Sequence, residues 1–275
     1  MRAAFAAALL SLPLLVVTAA GQSNFPGWNV SYEVPSGWSV AQAVGRVHTL
    51  ASTTSAGVIF VGAGAYRTPD EALADLSAFF QSLGVTAVPE APPASTTIAG
   101  LRATLTTYRS QDQSGRVVES RFITMLTPHG SGVNLLAMTT PEQFESLRAT
   151  LERVAASVHA SAPTVNQQAI AALAGSWMHY AGPSNTSVIT GGSSHSHEEV
   201  VSFDGRGQYQ WRSESSVSVS VPSGGAGRAT SDSDQGTYTV IGTTLIMTGT
   251  KGRLSFDYVT DGKRIEAGGK TFLRQ

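Results

Sequence analysis

The run His195-Ser196-His197-Glu198-Glu199 is the sharpest local cluster of ligand-type and acid-base side chains in the sequence. If it is extended, successive side chains alternate between faces. His195, His197 and Glu199 then point the same way, and two imidazoles and a carboxylate could converge on a divalent cation. The same residues follow Gly191-Gly192-Ser193-Ser194 and suit a solvated lead into a strand. A zinc centre also needs groups that orient its ligands, and spacing alone identifies none. No metal and no cofactor are assigned; His195, His197 and Glu199 are the weak candidates should a metal bind.

Two further places have the right residue types for chemistry. In Pro128-His129-Gly130-Ser131-Gly132 a histidine and a serine could be imagined as base and nucleophile. Two residues of one hairpin turn rarely reach the required geometry with a third orienting group, and no Gly-x-Ser-x-Gly elbow occurs in the sequence. Val61-Gly62-Ala63-Gly64-Ala65 has the first two glycines of a dinucleotide loop, but Arg67 stands where the third belongs and the helix signal begins only at Pro69. A strand with a close backbone approach explains these glycines better. No catalytic residue is assigned.

Composition narrows the classes. The 275 residues are 41% hydrophobic and 13% charged, with a formal net charge of -1, so there is material for packed cores and no basic excess of the kind that binds nucleic acid. The absence of cysteine removes disulfides, thiolate metal sites and a Cys nucleophile. Arg2, the apolar run from Ala3 to Val17 and the small residues Thr18-Ala19-Ala20-Gly21 read as a cleaved export leader covering residues 1–21. No later stretch is apolar enough to span a bilayer, so the mature protein is expected in the periplasm or outside the cell.

The elements that must carry any site fall into two groups. Thr68-Pro69-Asp70-Glu71 and Thr140-Pro141-Glu142-Gln143 open two amphipathic helices, with Leu73, Leu76, Phe80 and Leu83 on one stripe and Phe144, Leu147, Leu151, Val154 and Val158 on the other. Both openings read as the same capping arrangement. Period-two segments, 58–63, 101–109, 117–126 and 133–138, give an antiparallel sheet for these helices. Ser161 to Asn166 has linker composition, so the expected domains are 22–160 and 167–275. In the second, a short helix (167–173) leads into strands at 197–203, 208–214, 215–221, 236–241, 244–248, 253–259, 264–267 and 271–273. A Gly- and Ser-rich loop is expected over 222–235. Val217, Val219 and Val221 are read as small inward-facing residues. The fold class is α+β: an N-terminal α/β/α sandwich with an antiparallel sheet, then a small up-and-down antiparallel β-barrel.

Two resemblances follow. Tyr32-Glu33-Val34-Pro35-Ser36-Gly37-Trp38, the helix after the early strands, the long central hairpin and the closing helix ending in Ala156-Ser157-Val158 resemble the PsbP/Mog1-like sandwich over most of residues 28–160. That resemblance implies binding to other proteins or assemblies. Leu173-Ala174-Gly175-Ser176-Trp177 and Arg274 look like the lipocalin-type (calycin) signature, in which a Gly-x-Trp packs against a late arginine. The resemblance makes Gly175, Trp177 and Arg274 a structural clamp. The arrangement as a whole resembles bacterial secreted two-domain proteins with a lipocalin-like domain. The expected function is therefore non-enzymatic recognition or binding, with a protein partner or a small apolar ligand; the alternative is a carrier of a small apolar ligand inside the barrel.

Overall fold

The computed structural model describes residues 21–82, 84–112, 114–182, 184–185, 192–221 and 224–275. The expected leader, apart from Gly21, lies outside the described residues, as do Gly191, Pro222 and Ser223. The chain forms two compact units, one ending at Pro163 and the other beginning at Thr164. It is mostly β with few helices, and no described helix is long and apolar enough to cross a membrane.

The first unit runs β1 (Gln22–Phe25), β2 (Val30–Glu33), β3 (Trp38–Val44), β4 (Val47–Ser52), β5 (Val58–Gly64), α1 (Pro69–Ser82), β6 (Thr86–Pro89), β7 (Ala94–Ile98), β8 (Leu101–Gln111), β9 (Val117–Leu126), β10 (Gly132–Thr139), α2 (Phe144–Ala156) and β11 (His159–Ala160). Its main sheet is antiparallel in the order β3-β4-β5-β10-β9-β8, with β6 and β7 both paired to β8; β1, β2 and β11 make a small second sheet. Alternation along the central strands sorts the side chains between the two faces. Phe122, Leu126 and Leu136 pack under Ala72, Leu76 and Phe80 of α1. Ile59, Val61, Ile123, Met125, Val133 and Leu135 are buried on the opposite face. Helix α2 lies against β9 and β10 and buries Phe144, Leu147, Leu151 and Val154.

The two helix openings are not alike. Thr68 Oγ1 accepts the Glu71 N–H at 3.3 Å, and the Glu71 carboxylate accepts the Arg67 N–H at 2.8 Å, so α1 starts on reciprocal side-chain caps. At the second opening Pro141–Gln143 is a 3₁₀ turn and Thr140 makes no side-chain cap, which corrects the expectation of one shared arrangement. There the Thr140 hydroxyl bonds the Glu142 side chain and holds its carboxyl below the usual range. Gly57 has the tightest fit beside α2. At φ +110 a Cβ would stand 2.8 Å from the Met138 carbonyl oxygen and 2.9 Å from Leu147 Cδ2.

The second unit runs α3 (Gln167–Ala172), β12 (Gly175–Ala181), β13 (Ser184–Asn185), β14 (Gly192–Phe203), β15 (Gln208–Val221), β16 (Gly224–Ile241), β17 (Thr244–Gly249), β18 (Gly252–Thr260), β19 (Arg264–Ala267) and β20 (Lys270–Arg274). Each strand from β14 to β20 pairs antiparallel with the next, and β12 pairs with both β14 and β20, closing an eight-stranded barrel. Asp204 and Asp261 make the tight turns: each Oδ1 accepts two backbone N–H groups of its own loop.

Residues 208–221 form one strand, not two, and the expected loop over 222–235 is strand from Gly224 onward. The β15–β16 ladder is continuous from Gln208↔Thr237 to Val221↔Gly224. The Gly, Ser and Thr residues that read as loop are held by a partner strand, which composition does not reveal. β16 pairs with β17 only from Gly236, so the outer halves of β14, β15 and β16 extend as a ribbon beyond the barrel. Val217 sits on that ribbon and is half exposed, so it does not line the interior.

Candidate functional site

The barrel interior is filled at one end and hollow toward the other. At the filled end Ile170 of α3 and Leu173, which caps its C-terminus, pack with Trp177, Phe203, Tyr238 and Val240. Asn166 caps α3 by accepting the Ala169 N–H at 2.9 Å, and the Tyr238 hydroxyl donates to the Ile170 carbonyl at 2.9 Å. The Trp177 ring is fully buried, and its Nε1–H donates to the Leu173 carbonyl at 2.8 Å. The Arg274 guanidinium lies 5.1 Å from the ring centroid and donates to the carbonyls of Ala174 (2.5 Å) and Gly262 (3.1 Å). Gly175, at φ +127, faces it: a Cβ there would stand 3.2 Å from Arg274 Nη2. Gly175, Trp177 and Arg274 thus meet at the barrel floor, on neighbouring strands in register Trp177↔Arg274.

Above the floor is a cavity of about 370 Å³. Its walls are inward-facing side chains of the strands, among them Val201, Trp211, Leu245, Met247, Phe256 and Phe272. Ligand cavities run from roughly 300 to 1,000 Å³ and are mostly apolar with a few placed polar groups. This one has that character. A larger depression of about 690 Å³ lies over outward-facing Ser202, Gln210 and Arg212, but it is open and polar and fits a ligand less well.

The polar groups gather at the mouth. Asp234 accepts from the Tyr209 hydroxyl at 2.7 Å, from the Thr250 N–H at 2.9 Å and from the Thr250 hydroxyl at 2.6 Å. Those donors hold its carboxyl at about 2. Tyr209 is pushed up by burial and by the hydrogen bond to Asp234. Gly249 can carry no side chain, because the Asp234 carboxylate and the Tyr209 hydroxyl occupy that space. Lys251, on the β17–β18 turn, pairs with Asp232 of the ribbon, and its Nζ sits 5.2 Å from the Trp211 ring centroid. Lys270 follows the Gly268-Gly269 turn and pairs with Glu199.

His197 and Glu199 therefore belong to the mouth. His197 Nε2 is 2.6 Å from Glu199 Oε1, and Nδ1 is 2.6 Å from Ser215 Oγ. A carboxylate only accepts, so Nε2 donates in the contact with Glu199. Burial would push Glu199 up, but the Lys270 ammonium and His197 outweigh it and hold the carboxyl below its ordinary value. His195 is exposed on the ribbon, paired in register with Val217. Among the described residues no group of three or more His, Asp or Glu side chains is placed to hold a metal ion.

The other sequence candidates are structural. Ser131 is buried, with its hydroxyl 2.8 Å from Thr127 Oγ1, and the His129 N–H donates to Thr127 Oγ1 at 3.2 Å. Gly62 and Gly64 pair in the sheet with Asn134 and Gly132, and a Cβ on Gly64 would meet Tyr66 at 2.6 Å. Sequence reasoning missed the mouth residues Trp211, Asp232, Asp234, Lys251 and Lys270. One signal was present: the chain has three lysines against many arginines, and two of the three are here.

No protein-family model and no curated protein matches the chain. Among solved structures, the N-terminal half resembles the solution structure of cyanobacterial PsbP (CyanoP) from Synechocystis sp. PCC 6803. The identity is 12% and the TM-score 0.39, over 56% of this chain and 99% of that one. It also resembles the crystal structure of PA94 from Pseudomonas aeruginosa, a protein of unknown function described as a putative regulator. There the identity is 16% and the TM-score 0.32, over 49% of this chain and 92% of that one.

Proposed function

We propose that this is an exported, non-enzymatic protein whose C-terminal barrel binds and carries a small, mainly apolar molecule. The observation that supports the reading is the 370 Å³ cavity, apolar along its walls and polar at its mouth. At interior packing density that volume takes on the order of a dozen non-hydrogen atoms. The lipocalin-like reading of the barrel belongs to the same proposal, supported by Arg274 lying over Trp177 beside Gly175. Export rests on the residues of the leader, Arg2 and Ala3 to Val17.

Native mass spectrometry of protein purified from its own host tests this directly. The expected result is a chain beginning between Ala20 and Gln22 that retains a small organic adduct. Ala267→Trp, which fills the cavity from β19, should abolish retention. Protein that carries no adduct and takes up neither added decan-1-ol nor an added ten-carbon chain with a charged head would overturn the carrier reading. An intact Met1 on extracellular material would overturn the cleaved leader. Surface recognition is the second reading, and the feature that favours it is the ribbon beyond the barrel with half-exposed Val217.

A further inference from the structure

We infer that the molecule held in the barrel is an amphiphile with an anionic head, and that Lys251 and Lys270 receive that head at the mouth. The inference rests on the carrier reading and adds the ligand's charge.

Among the described residues the mouth holds three carboxylates and two ammonium groups, and the two kinds of charge are not equally available. Asp234 is saturated by Tyr209 and by both donors of Thr250. Glu199 has a side chain only 8% exposed and is already matched by Lys270 and His197. A cationic head would have to displace these donors. Each ammonium carries three protons. Among the described residues Lys270 commits to one oxygen of Glu199, and Lys251 to one of Asp232. Their side chains are 43% and 45% exposed, against 8% for Glu199; Asp232 is more open, at 60%, but its exposed oxygen already holds Lys251.

The residue type is itself informative. Outside the mouth the chain uses arginine almost throughout, with Lys263 the only other lysine. An ammonium on a flexible stem can turn from its carboxylate to share a second anion, whereas a guanidinium is bound to a planar fork. Lys251 stands on the β17–β18 turn and Lys270 opens β20 just after the β19–β20 turn, and both line the same cavity. Trp211, beneath Lys251, gives the first apolar surface inward of the head.

The test is calorimetric titration of the full chain with three probes sharing one tail: decanoate, decan-1-ol and decylammonium, at low and high salt. Decanoate is expected to bind about tenfold or more tightly than decan-1-ol, as charge-assisted bonds to two ammonium groups require. That advantage should shrink with salt. Lys251→Gln, and separately the pair Glu199→Gln with Lys270→Gln, should each lower the ratio of decanoate to decan-1-ol affinity, and a ratio unchanged in both would overturn the assignment; the paired change avoids stranding a buried carboxylate. Decan-1-ol or decylammonium binding as well as decanoate would overturn the anionic head and leave the carrier reading standing. If none of the three binds, both fall.

Discussion

Removing either side of the Trp177–Arg274 contact should unlatch the barrel floor, and the two losses should not add. Trp177 is fully buried among Ile170, Leu173 and Tyr238, so Trp177→Ala opens a large cavity and strands the Leu173 carbonyl, at about 3 to 5 kcal/mol. Arg274 is exposed at its edges, which discounts its charge. Arg274→Ala loses a ring contact at 5.1 Å and two carbonyl bonds, at about 1 to 3 kcal/mol. Once the ring is gone the guanidinium has nothing to stack on, so a cycle with the milder Trp177→Leu should give a coupling of about 0.5 to 1.5 kcal/mol. Hydrogen exchange in urea, read by mass spectrometry on peptides from residues 164–275, measures the barrel apart from the rest of the chain. Additivity within about 0.3 kcal/mol would refute the contact as an energetic unit.

The ion cluster at the mouth gives a pH signature. Glu199 is held below its ordinary 4.5, so its ionised form stabilises the folded barrel above that value, and the contribution is lost as pH falls through the lowered one. The stability gap between wild type and Glu199→Gln should therefore be flat from about pH 7 to about pH 5 and shrink below it, measured by thermal melts; a gap unchanged in acid would contradict the pairing. In the first unit, Gly57→Ala should cost about 2 to 4 kcal/mol, because positive φ coincides with three atoms inside 3 Å of the new Cβ. Gly100→Ala, at φ +75 with open space around it, should cost about 1 kcal/mol, and equal losses in urea titrations would show that crowding at Gly57 is relieved cheaply.

The two long helices and the central strands β8, β9 and β10 were legible because burial imposes a period on their apolar residues. Edge strands were not. β7 is exposed along nearly its whole length and β3 is buried mainly at Trp38, so neither alternates. The ribbon was misread for a related reason: Gly224 to Asp234 is held by a ladder of backbone bonds, and backbone bonds leave no trace in side-chain type. The floor residues Gly175, Trp177 and Arg274 were singled out by their resemblance to the lipocalin-type signature, not by their spacing. The mouth has no such signature. Glu199 meets Lys270 across 71 residues, and Lys251 meets Asp232 from a different hairpin. Read locally, His197 and Glu199 resemble metal ligands; a distant lysine takes the place a cation would have.

Joining the last strand to the first has a consequence for how the barrel assembles. The Arg274 guanidinium reaches the Ala174 carbonyl across 100 residues, so the ring shuts only when the most distant parts of the unit meet. β14, β15 and β16 are neighbours in sequence, and hairpins of this kind form within microseconds. Closure between β12 and β20 has the larger loop-entropy cost and should set the rate. Until it happens, β12 and the far side of β20 present unpaired backbone, and two half-built chains could pair there instead. The arginine that latches the floor is thus also among the last residues to find its place, and the time it takes is the interval in which this protein is most exposed to its own copies.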